Sequence, residues 1–384
     1  MFRIYFAIII FFIPLLPVIG QTVVTEPQRP CRGDTLEVVF YPGATVDTSS
    51  APFFLFYLYG EEGQSESMLL KAEKQKQRYR VRFKIKEDVS SLELHFINRE
   101  ERIVDSTFRF IIYNHNGQPA RNSLARYALA YMDEVRDSLL RRELALYPGN
   151  YPVWQMYWAN QKRLKVFEEF SLKDSVRAFY ETLQKTGPKA DAGLVYLLAH
   201  IHLILGNRDK YLFYLDKLTR EYPASPITSK YLSVFKVMEQ HTKKQLIPRP
   251  KSGESPGLTF KGIYKRWQKC ILMDYPGYPA AMKIAGENMN NPAVPEKSLI
   301  RVFKKHIQRD PDNPRPYFLL AKLYYEKLKD RATAEHYLQM ARQKYINAVK
   351  PRYFGPYSRR FQKEFEQDLD LYEKYLWKTK GKPH

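Results

Sequence analysis

From Asp34 to Asn114 apolar and polar residues alternate in short runs, "DTLEVVFY", "APFFLFYLYG", "SMLLKAEKQ", "RYRVRFKIK", "SLELHFINRE" and "STFRFIIYN". Period-two alternation puts every second side chain on one face, so these runs, split by Gly, Asp and Ser turns, predict six or seven strands. In "RYRVRFKIK" the basic residues share one face and Tyr79, Val81, Phe83 and Ile85 the other, which predicts a solvated sheet face. After the turn-rich "NHNGQPARNS" the texture changes to long helical patterns such as "LARYALAYMDEVRDSLLRRELALY", and strand signals do not return. A β-sandwich followed by an all-α region, an α+β multidomain chain, is the predicted architecture.

The helical region repeats a joint. "YPGNYPVWQMYW", "YPASPITSKYLSVF", "YPGYPAAMKIAGENM" and "DPDNPRPYFLLAKLYY" each carry a proline, a gap of two or three residues and a second proline. The first prolines, Pro148, Pro223, Pro276 and Pro311, are separated by 75, 53 and 35 residues. Six residues beyond each proline a helical stripe begins: Trp154, Tyr157, Trp158, Gln161; Ser229, Leu232, Ser233, Lys236; Met282, Ala285, Gly286, Met289; Tyr317, Leu320, Ala321, Tyr324. The last spacing is one helical-hairpin unit, the first is about two, and the middle is one plus the breaker-rich insert "KKQLIPRPKSGESPG".

The third and fourth stripes resemble the large, aliphatic, small, aromatic pattern on the first helix of a tetratricopeptide repeat (TPR). The likeness extends to second helices in "GLVYLLAHIHLILGNRDKYLFYLDKLTREYP", and in "PYFLLAKLYYEKLKDRATAEHYLQMARQKY" if one residue is inserted at the turn. The strand region is read as immunoglobulin-like. Residues 22–345 also loosely resemble the N-terminal region of exported thioredoxin-like proteins of Bacteroidota. There a thioredoxin domain follows, whereas here "YFGPYSRRFQKEFEQDLDLYEKYLWKTKGKPH" does, so the oxidoreductase activity is not carried over. Its Phe361, Phe365, Tyr372 and Leu376 give that stretch the apolar edge of a capping helix. The expected organisation is a signal peptide over 1–20, an Ig-like sandwich over 22–118 and TPR-like helices over 119–242. An insert at 243–257, further repeats over 258–345 and a capping helix with a basic tail over 346–384 complete it.

Charge and chemistry narrow the function. The net charge of +21 is carried mostly by residues 242–384, at +16, against −1 for residues 21–118, so the C-terminal half attracts anionic partners in a salt-sensitive way. "MFRIYFAIIIFFIPLLPVIG" reads as a secretory signal cut before Gln21, too short to span a bilayer, with a retained anchor as the alternative. Export to the periplasm or cell envelope, or secretion, with no transmembrane span in the mature chain, is therefore expected. Cys31 and Cys270 are read as free thiols, Cys270 buried; pairing is the alternative. "GESPG" around Ser255 matches a nucleophile elbow letter for letter but lies between proline-rich flanks, so it reads as linker. "RGD" at Arg32–Asp34 reads as a turn opening the first strand. His202 falls on the packing stripe and reads as a core histidine. No catalytic, metal or cofactor constellation emerges, so a non-enzyme without cofactors is expected.

Helical-repeat solenoids expose a face built from their first helices. One and five residues past each anchor that face would carry Lys230, Lys283, Phe318 and Lys322, with Tyr196 and His200 in the equivalent places of "GLVYLLAH" and Tyr325 beside them. Lysines and aromatics so placed suit a protein or peptide partner bearing carboxylates, which makes a scaffold the leading expectation. Adhesion to an anionic surface or polymer (lipid, glycan, nucleic acid without sequence recognition) and service as an accessory of a thioredoxin-like envelope system are the alternatives.

Overall fold

The structure is a computed structural model, and it describes residues 22–42, 53–61, 64–76, 78–97, 107–164, 169–241, 258–348, 353 and 359–377. Residues 1–20, read above as a signal peptide, the 243–257 insert with Ser255, and the basic tail after Trp377 lie outside the described residues.

Among the described residues eight strands build two antiparallel sheets. They are β1 (Thr22–Glu26), β2 (Thr35–Tyr41), β3 (Phe53–Gly60), β4 (Ser65–Lys71), β5 (Glu73–Gln75), β6 (Arg78–Lys84), β7 (Val89–Ile97) and β8 (Phe108–Ile111). One sheet runs β1-β2-β6-β5 and the other β4-β3-β7-β8. Val38 pairs with Val81 and Phe40 with Tyr79 in the first, and Phe56 with Leu94 in the second. These side chains meet in one core, where the Phe40 and Phe96 rings stack with centroids 3.6 Å apart. Tyr79, Val81 and Ile85 turn inward as the alternation requires, while Arg80 and Arg82 on the other face reach Glu37. The β3 and β7 pair departs from a one-sided pattern: Leu55, Ser91, His95 and Ile97, opposite the phenylalanine face, are buried too. That is why "FFLFYLYG" reads as a nearly unbroken apolar run.

"RGD" precedes the second strand, because β1 was not anticipated. Gly33 turns the chain at φ 78°, Asp34 accepts from the Cys31 amide at 2.8 Å, and Arg32 donates to the Val89 carbonyl at 3.1 Å. Both cysteines are free and half-buried, so Cys270 is less enclosed than expected.

The stretch that promised one long helix after the junction breaks in two. α1 (Ser123–Tyr127) ends in a 3-10 turn over Ala128–Ala130, Met132 is extended, and α2 follows (Asp133–Leu146). The break lets α1 lie against β7 and β8, where the Ser123 hydroxyl accepts from the Ile112 amide at 3.0 Å. The Ala128 carbonyl accepts from the Tyr131 amide at 3.2 Å and from Arg136 Nε at 3.1 Å. Beneath α1 the buried Glu143 of α2 accepts from the Asn122 amide at 2.6 Å, the Leu124 amide at 3.2 Å and Asn150 Nδ2 at 2.8 Å. One carboxylate thus caps α1 and ties it to the chain entering the repeats.

Helical hairpins follow: α3 (Tyr151–Arg163) with α4 (Glu169–Thr186), α5 (Ala192–Ile204) with α6 (Arg208–Glu221), α9 (Pro279–Glu287) with α10 (Glu296–Arg309), and α11 (Pro314–Leu323) with α12 (Arg331–Asn347), with α7 (Pro226–His241) and α8 (Phe260–Asp274) between the second and third of them. First helices contact first helices (α3 to α5, α5 to α7) and second helices contact second helices (α6 to α8, α8 to α10). This is the stacking of helical-hairpin repeats, and a core runs without interruption from α5 to α11. Asp191, Asn207, Thr259, Asn313 and Asp330 cap α5, α6, α8, α11 and α12 through their side chains.

The six-residue offset between proline and anchor has a physical cause. Trp154 Nε1 donates to the Pro148 carbonyl at 3.1 Å and the Tyr317 hydroxyl to the Pro311 carbonyl at 3.0 Å. The first residue of the stripe thereby satisfies a joint carbonyl that no helix can. At Pro223, where the anchor is Ser229, the indole of Trp267 supplies the donor instead, at 2.9 Å. The single residue that the last hairpin needs at its turn is absorbed as a π-helical turn over Tyr324–Leu328, closed by Lys329 at φ 56°.

The last helix, α13 (Arg359–Trp377), lies along α11 and α12. Its buried edge is Phe365, Leu369, Tyr372 and Leu376, at spacings of four, three and four. Phe361 is not on that edge; it is 61% exposed. Arg342 of α12 fixes the contact by bonding Glu373 at 2.8 Å and pairing with Asp370.

Candidate functional site

The candidate residues separate into an open set and a covered set. Lys230 on α7 and Lys283 on α9 are exposed at equivalent positions of successive hairpins. The helix α7 packs against α5, and the start of α9 reaches α7. The Tyr196 ring meets the Tyr231 ring edge-on at 4.7 Å, and the Tyr278 hydroxyl at the start of α9 hydrogen-bonds Ser229 of α7.

Tyr196 itself is not at the surface. It is 6% exposed and fills the space between α5 and α7, so burial pushes its phenol far up. His200 lies one turn on, its ring parallel to that of Tyr196 at 6.4 Å. Burial takes its imidazole down to about 4, and its Nδ1 has no hydrogen-bond partner among the described residues. His202, on the other side of α5, is 2% exposed between the rings of Tyr180 at 5.0 Å and Tyr214 at 5.4 Å. Burial and the Lys210 charge take it down to about 4 as well.

Phe318, Lys322 and Tyr325 belong to the covered set, against the expectation that they are free for a partner. Phe318 is 5% exposed and sits edge-on to Phe365 at 5.2 Å and Tyr372 at 5.4 Å. Lys322 lies 5.8 Å above the Tyr372 ring and pairs with Glu326 at 3.9 Å, and Tyr325 stacks on Tyr375 at 6.5 Å. The cause is α13, which occupies the place where another hairpin would stack.

Sequence reasoning missed Arg126. This residue of α1 lays its guanidinium 4.3 Å above the ring of Tyr59 on β3. Burial lowers its pKa, opposed by the charges of Tyr59 and Glu93. Desolvation lowers the Lys230 ammonium, and the Arg126 charge lowers it further. Arg126 sits in a helix of five residues beside a turn, where periodicity carries no signal; only the fold brings it to Tyr59.

Among the described residues no group of three or more His, Cys, Asp or Glu side chains is placed to hold a metal ion, and no helix is long and apolar enough to cross a membrane. No protein-family model matches the chain, and no curated protein matches it. Among solved structures it is similar to the TPR2AB domain of yeast Sti1 in its pHSP90 complex. That match is 16% identical, covers 65% of this chain and 96% of that one, and has a TM-score of 0.21.

Proposed function

We propose that this chain is an exported, non-enzymatic interaction protein of the cell envelope, in which a TPR-like solenoid binds a partner segment bearing carboxylates along its row of first helices. The observation that carries the reading is the repetition of an exposed lysine, Lys230 and then Lys283, at the same position of neighbouring first helices set beside buried aromatics. Repeated cations at hairpin spacing suit an extended acidic segment, because each repeat offers one charge-assisted contact in the same orientation. The sandwich we read as immunoglobulin-like: the order β1-β2-β6-β5 against β4-β3-β7-β8 supports an A-B-E-D sheet facing C′-C-F-G.

Affinity capture from envelope extract by the full mature chain, at low and high salt, tests the proposal. A partner retained at high salt by the native chain and lost from Lys283→Glu supports groove binding. The excess of basic residues in the C-terminal half favours a second reading, adhesion to a polyanion. Recovery of lipid or nucleic acid alone, released by salt, would replace the first reading with the second.

A further inference from the structure

On the second helices α8 and α10 cations accumulate nearly without acids. α8 carries four Lys or Arg and α10 five, each with a single acid at an end: Asp274 closes α8 and Glu296 opens α10. The neighbouring second helices are compensated at short range. Arg220 of α6 pairs with Asp216 at 2.8 Å and Lys217 with Glu221 at 3.9 Å, while Arg331 of α12 pairs with Glu335 at 3.1 Å and Lys344 with Asp312 at 2.9 Å.

Within α8 and α10 arginine and lysine are used differently. Arg266 reaches Asp216, Arg301 donates to the Met273 carbonyl, and Arg309 donates to the Gly277 carbonyl at 3.5 Å. Lys261, Lys265, Lys269, Lys297, Lys304 and Lys305 are all exposed, and among the described residues none of them is in a salt bridge. Lys261, Lys265 and Lys269 recur every fourth residue, which puts them on one side of α8. Met273 continues that row and is 41% exposed, and Tyr275 beyond it is 38% exposed. Ser298 Oγ lies 3.2 Å from Met273 Sδ, and with the Arg301 bond this joins the start of α10 to the end of α8. Two exposed apolar side chains therefore stand at a joint, with free lysines on the helix before it and on the helix after it.

That arrangement selects among polyanions. A single-stranded nucleic acid is held by a series of rings on which successive bases stack, and base edges are read by planar arginine forks, which the fold engages elsewhere. A lipid surface instead offers phosphates to point-charge ammonium groups and an apolar boundary to side chains such as Met273 and Tyr275.

We propose that α8 and α10 form a peripheral docking surface for an anionic phospholipid layer, in which the lysines meet headgroup phosphates and Met273 and Tyr275 enter the headgroup boundary. This rests on the polyanion reading above, to which it gives a place and a ligand; the groove reading does not depend on it. First helices stack on first helices and second on second, so a chain held by α8 and α10 keeps the first-helix row open to a partner.

The test is co-sedimentation of the full mature chain with phosphatidylcholine vesicles, with and without phosphatidylglycerol. Binding should require phosphatidylglycerol and fall steeply as salt rises. Each lysine at such a surface contributes about fivefold, so Lys265→Gln, Lys269→Gln and Lys304→Gln combined should weaken binding about a hundredfold while keeping the native urea midpoint. Met273→Gln, which keeps every charge, should weaken binding several-fold with the salt dependence unchanged.

Equal sedimentation of the native and triply substituted chains, or no dependence on phosphatidylglycerol, would overturn the surface. A single-stranded oligonucleotide bound by the native chain and lost from the triple variant, with vesicles unbound, would overturn the assignment to lipid. The readings fail separately. An oligonucleotide bound alike by both chains, without vesicle binding, leaves the polyanion reading and removes this surface; Lys283-dependent capture without binding of any polyanion leaves the groove alone.

Discussion

Replacing His200 by Gln measures how tightly α5 is held between its neighbours. Burial lowers the imidazole from its ordinary value of 6.5 to about 4, so the folded state resists a proton that the unfolded chain accepts. A depressed folded pKa contributes stability that is fully present above pH 6.5 and is lost as pH falls toward 4. At pH 5 the unfolded chain is mostly protonated at this position and the folded chain is not, a loss of about 2 kcal/mol relative to pH 7.5. His202 shifts in the same direction, so native stability should fall over the same window by at least that much. Urea denaturation of the native chain and of His200→Gln, at half-unit steps from pH 7.5 to 4.5, isolates the His200 share. The stability difference between the two chains should narrow by about 2 kcal/mol between pH 7.5 and pH 5, on the order of 1 M in midpoint. A difference that stays constant across that range would show that the His200 ring is solvated, and the packing of α5 against α7 described above would be wrong.

Two further substitutions probe the two ends of the solenoid. Leu369→Ala removes a fully buried side chain from the contact of α13 with α11 and α12, and should cost about 2–5 kcal/mol locally. Hydrogen exchange should show protection lost in 359–377 and around Phe318, with the sandwich strands unchanged. Glu143→Ala deletes the acceptor shared by Asn122, Leu124 and Asn150, leaving at least one buried donor unmet at a cost of about 1–3 kcal/mol. Its mark should be faster exchange of the α1 amides, whereas a uniform effect across all the helices would contradict a junction-specific role.

How far the molecule could be read from its sequence depended on whether a pattern was local. Period-two runs located the strands from Thr35 to Ile111, because which face a side chain takes is decided within the strand. The proline spacings located the hairpins for a similar reason, since Trp154 and Tyr317 bond a carbonyl six residues back in their own chain. Strand β1 escaped because "TVVTE" is too short to show alternation against the signal-like run before it. The exposure of Phe318, Lys322 and Tyr325 was misjudged because periodicity places a residue on a helix face without saying what packs on that face. The apolar edge of α13 was visible, but its docking partner was not. Arg126 and Tyr59 lie 67 residues apart in different kinds of structure, and nothing in either segment alone brings them together.

The row of first helices is the surface that we propose a partner uses. Site-specific photocrosslinking tests it most directly, with a photoreactive residue placed singly at Lys230, Lys283, Lys269 or Lys305 of the full mature chain and exposed to envelope extract. One partner band should be crosslinked from positions 230 and 283, on α7 and α9, and none from positions 269 and 305, on the second helices α8 and α10. The same band appearing from 269 or 305, with positions 230 and 283 silent, would contradict it.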